Sequence, residues 1–212
     1  METENKGKFI VIEGGDGSGK DALVASAIKE LHGENIVFTR EPGGTRVGNE
    51  IRKLLLNEKS FDMRPRTEML LFYASRAQHV EEVIAPALNA GQNVISNRFS
   101  LSTIAYQIYG RRQPQFSDLC TLLDSAVVGN YKPNLTIFLD IDPKRARERV
   151  QGRVDENNRF DEEEIDFYER VREGYLLRLK SIPNKIIDVD RPLEEVQKEV
   201  VQTIREFLGQ AN

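Results

Sequence analysis

The chain has 212 residues, 39% of them hydrophobic and 30% charged, with a formal net charge of −4. That balance is that of a soluble globular enzyme rather than a disordered or membrane chain, and the acidic sign argues against a broad nucleic-acid surface while leaving room for a local basic pocket that takes a small anion. A single cysteine, Cys120, excludes an internal disulfide; the polar start Met1 to Lys8 lacks the apolar core of a signal peptide, and no apolar run approaches the ~20 residues of a membrane span, so the cytoplasm is the expected location.

The first predicted element is a strand over the apolar run Phe9 to Ile12. Directly after it comes Gly14-Gly15-Asp16-Gly17-Ser18-Gly19-Lys20-Asp21, and then a helical pattern over 21–31. Gly14, Gly19 and Lys20 satisfy the pattern G-x-x-x-x-G-K-[ST], in which small residues turn successive backbone N–H groups towards a polyphosphate and the lysine adds a point charge. The helix that follows presents its positive N-terminal end to the same anion. The last position departs from the pattern, because Asp21 stands where a hydroxyl normally meets magnesium. A carboxylate ~4 Å from a phosphate charge is repelled by up to ~4 kcal/mol per charge pair at an effective dielectric near 20. Asp21 must therefore help hold a metal, pair with a base, or point away.

Further strands are predicted over Ile36 to Phe38, Val94 to Ile95, Leu135 to Leu139 and Ile186 to Val189, rich in Ile and Val as strands buried on both faces are. Helical patterns occupy about 46–56, 66–89, 100–109, 116–127, 143–150, 162–180 and 192–208. Such alternation predicts an α/β fold, a five-stranded doubly wound parallel sheet flanked by helices, in one domain over 1–212. Ligands of these sheets sit beyond the carboxyl ends of the strands. Four polar segments occupy those ends: the phosphate loop, Thr39-Arg40-Glu41-Pro42-Gly43-Gly44-Thr45, Ser96-Asn97-Arg98-Phe99 and Asp140-Ile141-Asp142-Pro143. An arginine directly after a buried strand, as at Arg40 and Arg98, implies a waiting anion or carboxylate. His32, His79 and Cys120 are assigned to structure or surface.

Arginines recur at 145, 147, 149, 153 and 159, around a loop-like stretch from Gln151 to Asn158. Arg145 and Arg147 read as a solvated helix face. Arg149, Arg153 and Arg159 read as part of a mobile lid at about 149–160 that closes over a transferring group. Asp161 with Glu164 reads as the start of the next helix.

The phosphate loop, the Thr39–Thr45 segment and Leu71-Phe72-Tyr73-Ala74-Ser75-Arg76 together resemble the thymidylate kinases. So do Asn97-Arg98-Phe99-Ser100-Leu101-Ser102-Thr103-Ile104-Ala105-Tyr106-Gln107 and the stretches Arg159 to Asp161 and Val171 to Tyr175. The resemblance implies the P-loop nucleoside monophosphate kinase fold and transfer of the γ-phosphoryl of ATP to dTMP, with Mg2+ as cofactor, in a homodimer with neither a nucleic-acid nor a membrane partner. It further implies that Gly14 through Asp21 hold ATP, that Lys20 neutralises the transferring phosphoryl, and that Asp16 meets the acceptor sugar or phosphate. Phe72 would stack on thymine, Arg76 would donate to a thymine carbonyl, and Thr103 would lie near the base N3. Tyr106 would pack under the sugar, Pro42 would line the dTMP site, and Arg40, Arg52 and Arg98 would hold its phosphate. The loop carries no arginine, which points to the type whose catalytic arginines come from the lid, here Arg149, Arg153 and Arg159.

Two positions depart from the family pattern: Asp21 replaces a hydroxyl residue and Asn97 replaces an aspartate. The expectation is that both face one metal, the charge having moved from the second position to the first. The competing expectations are a nucleotide-binding protein whose kinase activity is weak or lost, and a kinase for another deoxynucleotide.

Overall fold

The structure, a computed structural model, describes residues 6–57, 62–151 and 164–209. Its centre is a sheet of five strands, β1 (Phe9–Gly14), β2 (Ile36–Arg40), β3 (Asn93–Asn97), β4 (Leu135–Asp140) and β5 (Asn184–Asp188), ordered β2-β3-β1-β4-β5 with all four pairings parallel. β1 lies in the middle and is buried along its whole length. Ile10 and Ile12 project to one face, where Leu23 and Ala27 of α1 (Lys20–Glu30) and Val196, Val200 and Ile204 of α9 (Leu193–Leu208) cover them. Phe9 and Val11 project to the other, against Val80, Ile84 and Leu88. Each fully buried side chain of this size contributes about 1.5–3 kcal/mol. Burial on both faces holds for the inner strands only: β2 is half-buried and β5 mostly exposed, because an edge strand is covered less completely.

The remaining helices are α2 (Arg46–Leu56), α3 (Pro65–His79), α4 (Ala85–Asn89), α5 (Ser100–Thr103), α6 (Ser117–Val128), α7 (Pro143–Gln151) and α8 (Ile165–Leu179). The helix expected over 66–89 is present but changes pitch: α3 runs into a π-helical stretch at Val80–Ile84 before α4. Pro86 has no N–H to give to the preceding turn, and the wider turn absorbs that loss. The helix expected over 100–109 likewise becomes α5 followed by a π-helical stretch, Ile104–Gly110, from which Arg111 N–H reaches back to the Tyr106 carbonyl. The Arg153 and Arg159 positions, most of the expected lid and the Asp161 helix start lie outside the described residues.

Register brings the strand ends together. Ile12 stands opposite both Asn97 and Ile137, and Arg40 opposite Asn97, so the segments after β1, β2 and β3 open into one cleft. The segment after β4 does not join them. Asp140 pairs with Arg172 of α8 through two hydrogen bonds of 2.7 and 2.8 Å, and Asp142 caps α7 by accepting the Lys144 N–H at 2.9 Å.

Candidate active site

The phosphate loop packs closely against its neighbours at two of its glycines. At Gly17, whose φ is +82°, a Cβ would lie 2.3 Å from the Ala146 carbonyl oxygen of α7; at Gly14 it would lie 3.1 Å from the Leu139 carbonyl of β4. Gly19, at φ +75°, turns the chain into α1, where its carbonyl accepts the Leu23 N–H at 3.1 Å. The Ser18 hydroxyl donates to the Gly15 carbonyl at 2.7 Å and tightens the turn. Lys20 is almost wholly buried, and its pKa is lowered to about 8, first by desolvation and then by the Arg98 cation, with Asp21, Asp16 and Glu13 opposing. A buried ammonium whose pKa is lowered in this way is one that a further anion would stabilise.

Facing the loop, Arg98 donates from Nη2 to Asp16 Oδ1 at 2.7 Å, while the Tyr106 hydroxyl donates to Asp16 Oδ2 at 2.9 Å. The guanidinium also lies over the Tyr106 ring, 5.1 Å from its centre. Burial disfavours the Arg98 cation, but Tyr106, Asp16, Tyr175 and Glu13 outweigh it and hold its pKa well above the ordinary value. Arg98 sits at φ +70°, uncommon for a residue with a Cβ and a mark of local constraint. Asp16 is thus the carboxylate that the arginine after β3 implied.

The second group is buried beneath the cleft. Glu41 accepts from Arg76 Nε at 2.8 Å and from His79 Nδ1 at 2.9 Å, and the far ring nitrogen, His79 Nε2, meets the Thr39 hydroxyl at 2.6 Å. Both ring nitrogens are thus engaged within the protein. His79 is therefore structural, as the sequence implies. Arg76 Nη2 donates to Thr103 Oγ1 at 2.9 Å, and the guanidinium packs between the rings of Tyr73 and Phe99. Its remaining nitrogen, Nη1, is buried with no hydrogen-bond partner among the described residues.

The cleft is lined by the phosphate loop together with Arg40, Glu41, Pro42, Arg52, Leu56, Phe72, Asn97, Arg98, Ser102 and Tyr106. Arg52 donates to the Pro42 carbonyl at 3.1 Å, which ties α2 to the segment after β2. Of the residues singled out for dTMP, Arg76 and Thr103 lie behind this lining and the others form it. Arg149 is elsewhere, on the α7 side of the phosphate loop, where it donates to the Val189 carbonyl at 3.2 Å and faces Asp190 at 3.7 Å.

Asp21 and Asn97 do meet: Asn97 Nδ2 donates to Asp21 Oδ1 at 2.8 Å. The opposite amide orientation would set two oxygens against each other, so Asn97 Oδ1 faces away, and that oxygen is buried without a hydrogen-bond partner among the described residues. No cluster of three or more His, Cys, Asp or Glu side chains among the described residues could hold a metal. The Asp21 carboxylate, a hard donor, fits Mg2+ bound mainly by water and substrate phosphates, whereas Asn97 presents its amide nitrogen to Asp21 and so orients the carboxylate instead of facing the metal with its oxygen.

Glu13 was missed by sequence reasoning. Fully buried at the end of β1, it accepts from the Phe99 and Ser102 N–H groups and from the Ser102 and Tyr175 hydroxyls. Burial raises its pKa, and the Ser102 hydrogen bond and the Arg98 charge oppose the rise. The available signal was an acid set within an otherwise apolar buried strand. Tyr175, whose hydroxyl lies 2.7 Å from Ser102 Oγ, belongs to the same cluster.

A family model described as thymidylate kinase matches residues 12–200. The chain is 41% identical over 208 residues to the thymidylate kinase of Legionella pneumophila strain Corby, covering 95% of this chain and 96% of that one. It is 44% identical over 203 residues to that of Maridesulfovibrio salexigens, with 91% and 92% covered. With that of Haemophilus ducreyi, 41% identity extends over 213 residues and 98% of each chain.

Proposed function

The chain belongs to the thymidylate kinase family, and on that premise we propose how its own residues carry out the transfer of the γ-phosphoryl group of ATP to dTMP, giving dTDP and ADP. The observation that supports the assignment of parts is the cleft itself, in which a phosphate loop, three arginines and two aromatic rings face a common space.

Gly14 through Asp21 wrap the phosphates of ATP, with Lys20 supplying the charge that bridges to the transferring group. Arg40, Arg52 and Arg98 hold the phosphate of dTMP, and Asp16 keeps Arg98 aimed while it accepts from Tyr106. Phe72 forms the stacking wall for thymine, beside Pro42. Arg76 reaches the base through Nη1, the buried N–H group that lacks an acceptor; a thymine carbonyl supplies one. Thr103, fixed by Arg76 Nη2, lies beneath the base edge, and Tyr106 underlies the sugar. Little covalent chemistry is asked of the protein, because the reaction depends on alignment and on neutralising charge as it moves between oxygens.

Asp21, oriented by the Asn97 amide at 2.8 Å, is the protein group that would hold Mg2+, whose contribution when bound is to neutralise charge on the phosphates. Arg149, with Arg153 and Arg159 from the lid segment, approaches the transferring group on closure. Leu54, Leu70 and Leu122 are exposed on α2, α3 and α6, helices packed side by side, and form the pairing face of a homodimer. No described helix is long and apolar enough to cross a membrane, and a cytoplasmic location completes the proposal.

The test is a coupled assay of ADP release with ATP, Mg2+ and a panel of deoxynucleoside monophosphates, beside calorimetric titration of each acceptor. Turnover of about 1 s⁻¹ or more with dTMP, well above the other acceptors, is expected. Tight dTMP binding without turnover would replace the kinase by a nucleotide-binding protein.

A further inference from the structure

Every lone-pair direction of the Glu13 carboxylate is used. Oε1 accepts the backbone N–H groups of Phe99 and Ser102 at 2.9 and 3.2 Å; Oε2 accepts the Ser102 hydroxyl at 2.6 Å and the Tyr175 hydroxyl at 3.2 Å. Two backbone N–H groups fix Oε1 as an acceptor, and against the burial that raises the pKa the Ser102 hydrogen bond and the Arg98 charge favour the ionised form, so the carboxylate is the acceptor towards both hydroxyls. The Ser102 hydrogen therefore points at Glu13. The Tyr175 hydrogen points at Glu13 or at Ser102 Oγ, 2.7 Å away, and in neither case at Arg98. Both hydroxyls consequently turn lone pairs outward, and Arg98 Nη1 donates to them at 3.1 and 3.3 Å. The same carboxylate clamps the backbone on the far side of the left-handed residue, since Phe99 directly follows Arg98 at φ +70°. A non-glycine residue keeps such a conformation only where its surroundings over-determine it.

We propose that Glu13 is a positioning residue for the acceptor phosphate: it locks the turn at Arg98 and sets the polarity of the Ser102 and Tyr175 hydroxyls, so that the guanidinium is presented to the cleft in one orientation. The proposal rests on the reading of Arg98 as a dTMP-phosphate ligand. Glu13 itself touches no substrate, for it is fully buried and absent from the cleft lining.

Glu13→Gln separates this role from that of a buried structural carboxylate. The amide oxygen can keep the two backbone N–H groups, but the amide nitrogen must then donate towards Ser102 and Tyr175. That turns the Ser102 hydrogen to the Tyr175 oxygen and displaces the Tyr175 hydrogen towards Arg98. The experiment combines a crystal structure of Glu13→Gln with steady-state kinetics of the whole chain. The expected result is an Arg98 guanidinium displaced from Ser102 and Tyr175, with KM for dTMP raised about 10- to 100-fold, the loss of one or two hydrogen bonds to a charged group, and KM for ATP changed by less than about threefold. Tyr175→Phe keeps the core shape and removes one of the two acceptors; it carries the test if the glutamine variant does not fold, with an expected rise of about 3- to 10-fold in KM for dTMP alone. An unmoved Arg98 in Glu13→Gln, or changes shared equally between dTMP and ATP in either variant, overturns the proposal. If the wild-type chain neither binds nor phosphorylates dTMP, the functional reading fails, and the position of Arg98 in the glutamine variant still decides what Glu13 does.

Discussion

On the β2 side of the cleft the side chains of Arg76 and Glu41 are 1% and 4% exposed, whereas on the far side of the phosphate loop those of Arg145 and Asp190 are 59% and 36% exposed. The contrast extends to neighbours: Arg98 and Asp16, in the cleft wall, are each 16% exposed, while Arg147 and Glu164 meet at 3.3 Å in solvent. A buried pair stays where it is, because parting the charges leaves one unsolvated. An exposed pair exchanges partners at little cost, because water replaces either member. The side proposed for dTMP is thus fixed by its own buried pairs, and the far side is held by exposed contacts that can be remade at little cost.

The strongest way to break this contrast is Glu41→Ala. It leaves the buried Arg76 cation without its carboxylate and His79 Nδ1 without an acceptor, so a stability loss of about 3–5 kcal/mol is expected in urea denaturation. A loss below about 1 kcal/mol would mean that the two sides are held alike.

Next in size is the pair at the boundary between the sides. Asp21→Thr removes the only carboxylate of the proposed Mg2+ pair, and kcat should fall about 100-fold, equivalent to ~2.7 kcal/mol of transition-state stabilisation. Adding Asn97→Asp returns a carboxylate from the other member, and the double variant should recover to within about tenfold of wild type. Additive losses in kcat and in the Mg2+ concentration needed for half-maximal rate would show that the two positions do not share one metal.

How far the sequence foretold these parts depends on how local each one is. The phosphate loop is contiguous, and its glycines, lysine and following helix are all visible within eight residues of one another, so its place at the end of β1 was legible. β3 was read as Val94 to Ile95 alone because Ser96 and Asn97 are polar; yet Ser96 is fully buried, its hydroxyl satisfied by the Arg98 carbonyl at 2.8 Å. The widened turn at Val80–Ile84 had a visible cause in Pro86, whereas nothing in Ile104 to Gly110 announced another. Glu13 was hidden for a different reason. Its partners Phe99, Ser102 and Tyr175 are 86 to 162 residues away in the chain, so only the folded register discloses that the acid is satisfied. A separation of 35 residues likewise concealed Glu41 as the counter-ion of Arg76.

A smaller effect sharpens the electrostatics of the loop between the sides. Lys20 has its pKa lowered to about 8 without ligand, by burial first and Arg98 second. A polyphosphate stabilises the charged form, so binding raises that pKa. Between the free and bound values the complex holds more protons than the free chain. ATP affinity should therefore fall as pH rises through about 8, by at most tenfold per pH unit, and binding should take up a fraction of a proton there. Below about pH 7 both states are protonated and the uptake should vanish. Calorimetric titrations in two buffers of different ionisation enthalpy measure this directly, and proton release on binding would contradict it.

The smallest expected effect is the most pointed for the contrast. Arg145→Ala removes an exposed cation 3.3 Å from Asp190, while Arg149 remains 3.7 Å from the same carboxylate. Loss of the exposed pair should cost less than about 0.5 kcal/mol in urea denaturation, because each charge is already solvated and its side chain regains conformational freedom. The residual effect should fade between 0.05 and 0.5 M salt, as the screening length falls from about 14 to 4 Å. The loss on Glu41→Ala should persist over the same range, because ions do not reach a pair that water does not reach. If the two variants respond to salt alike, burial is not what distinguishes the two sides of the cleft.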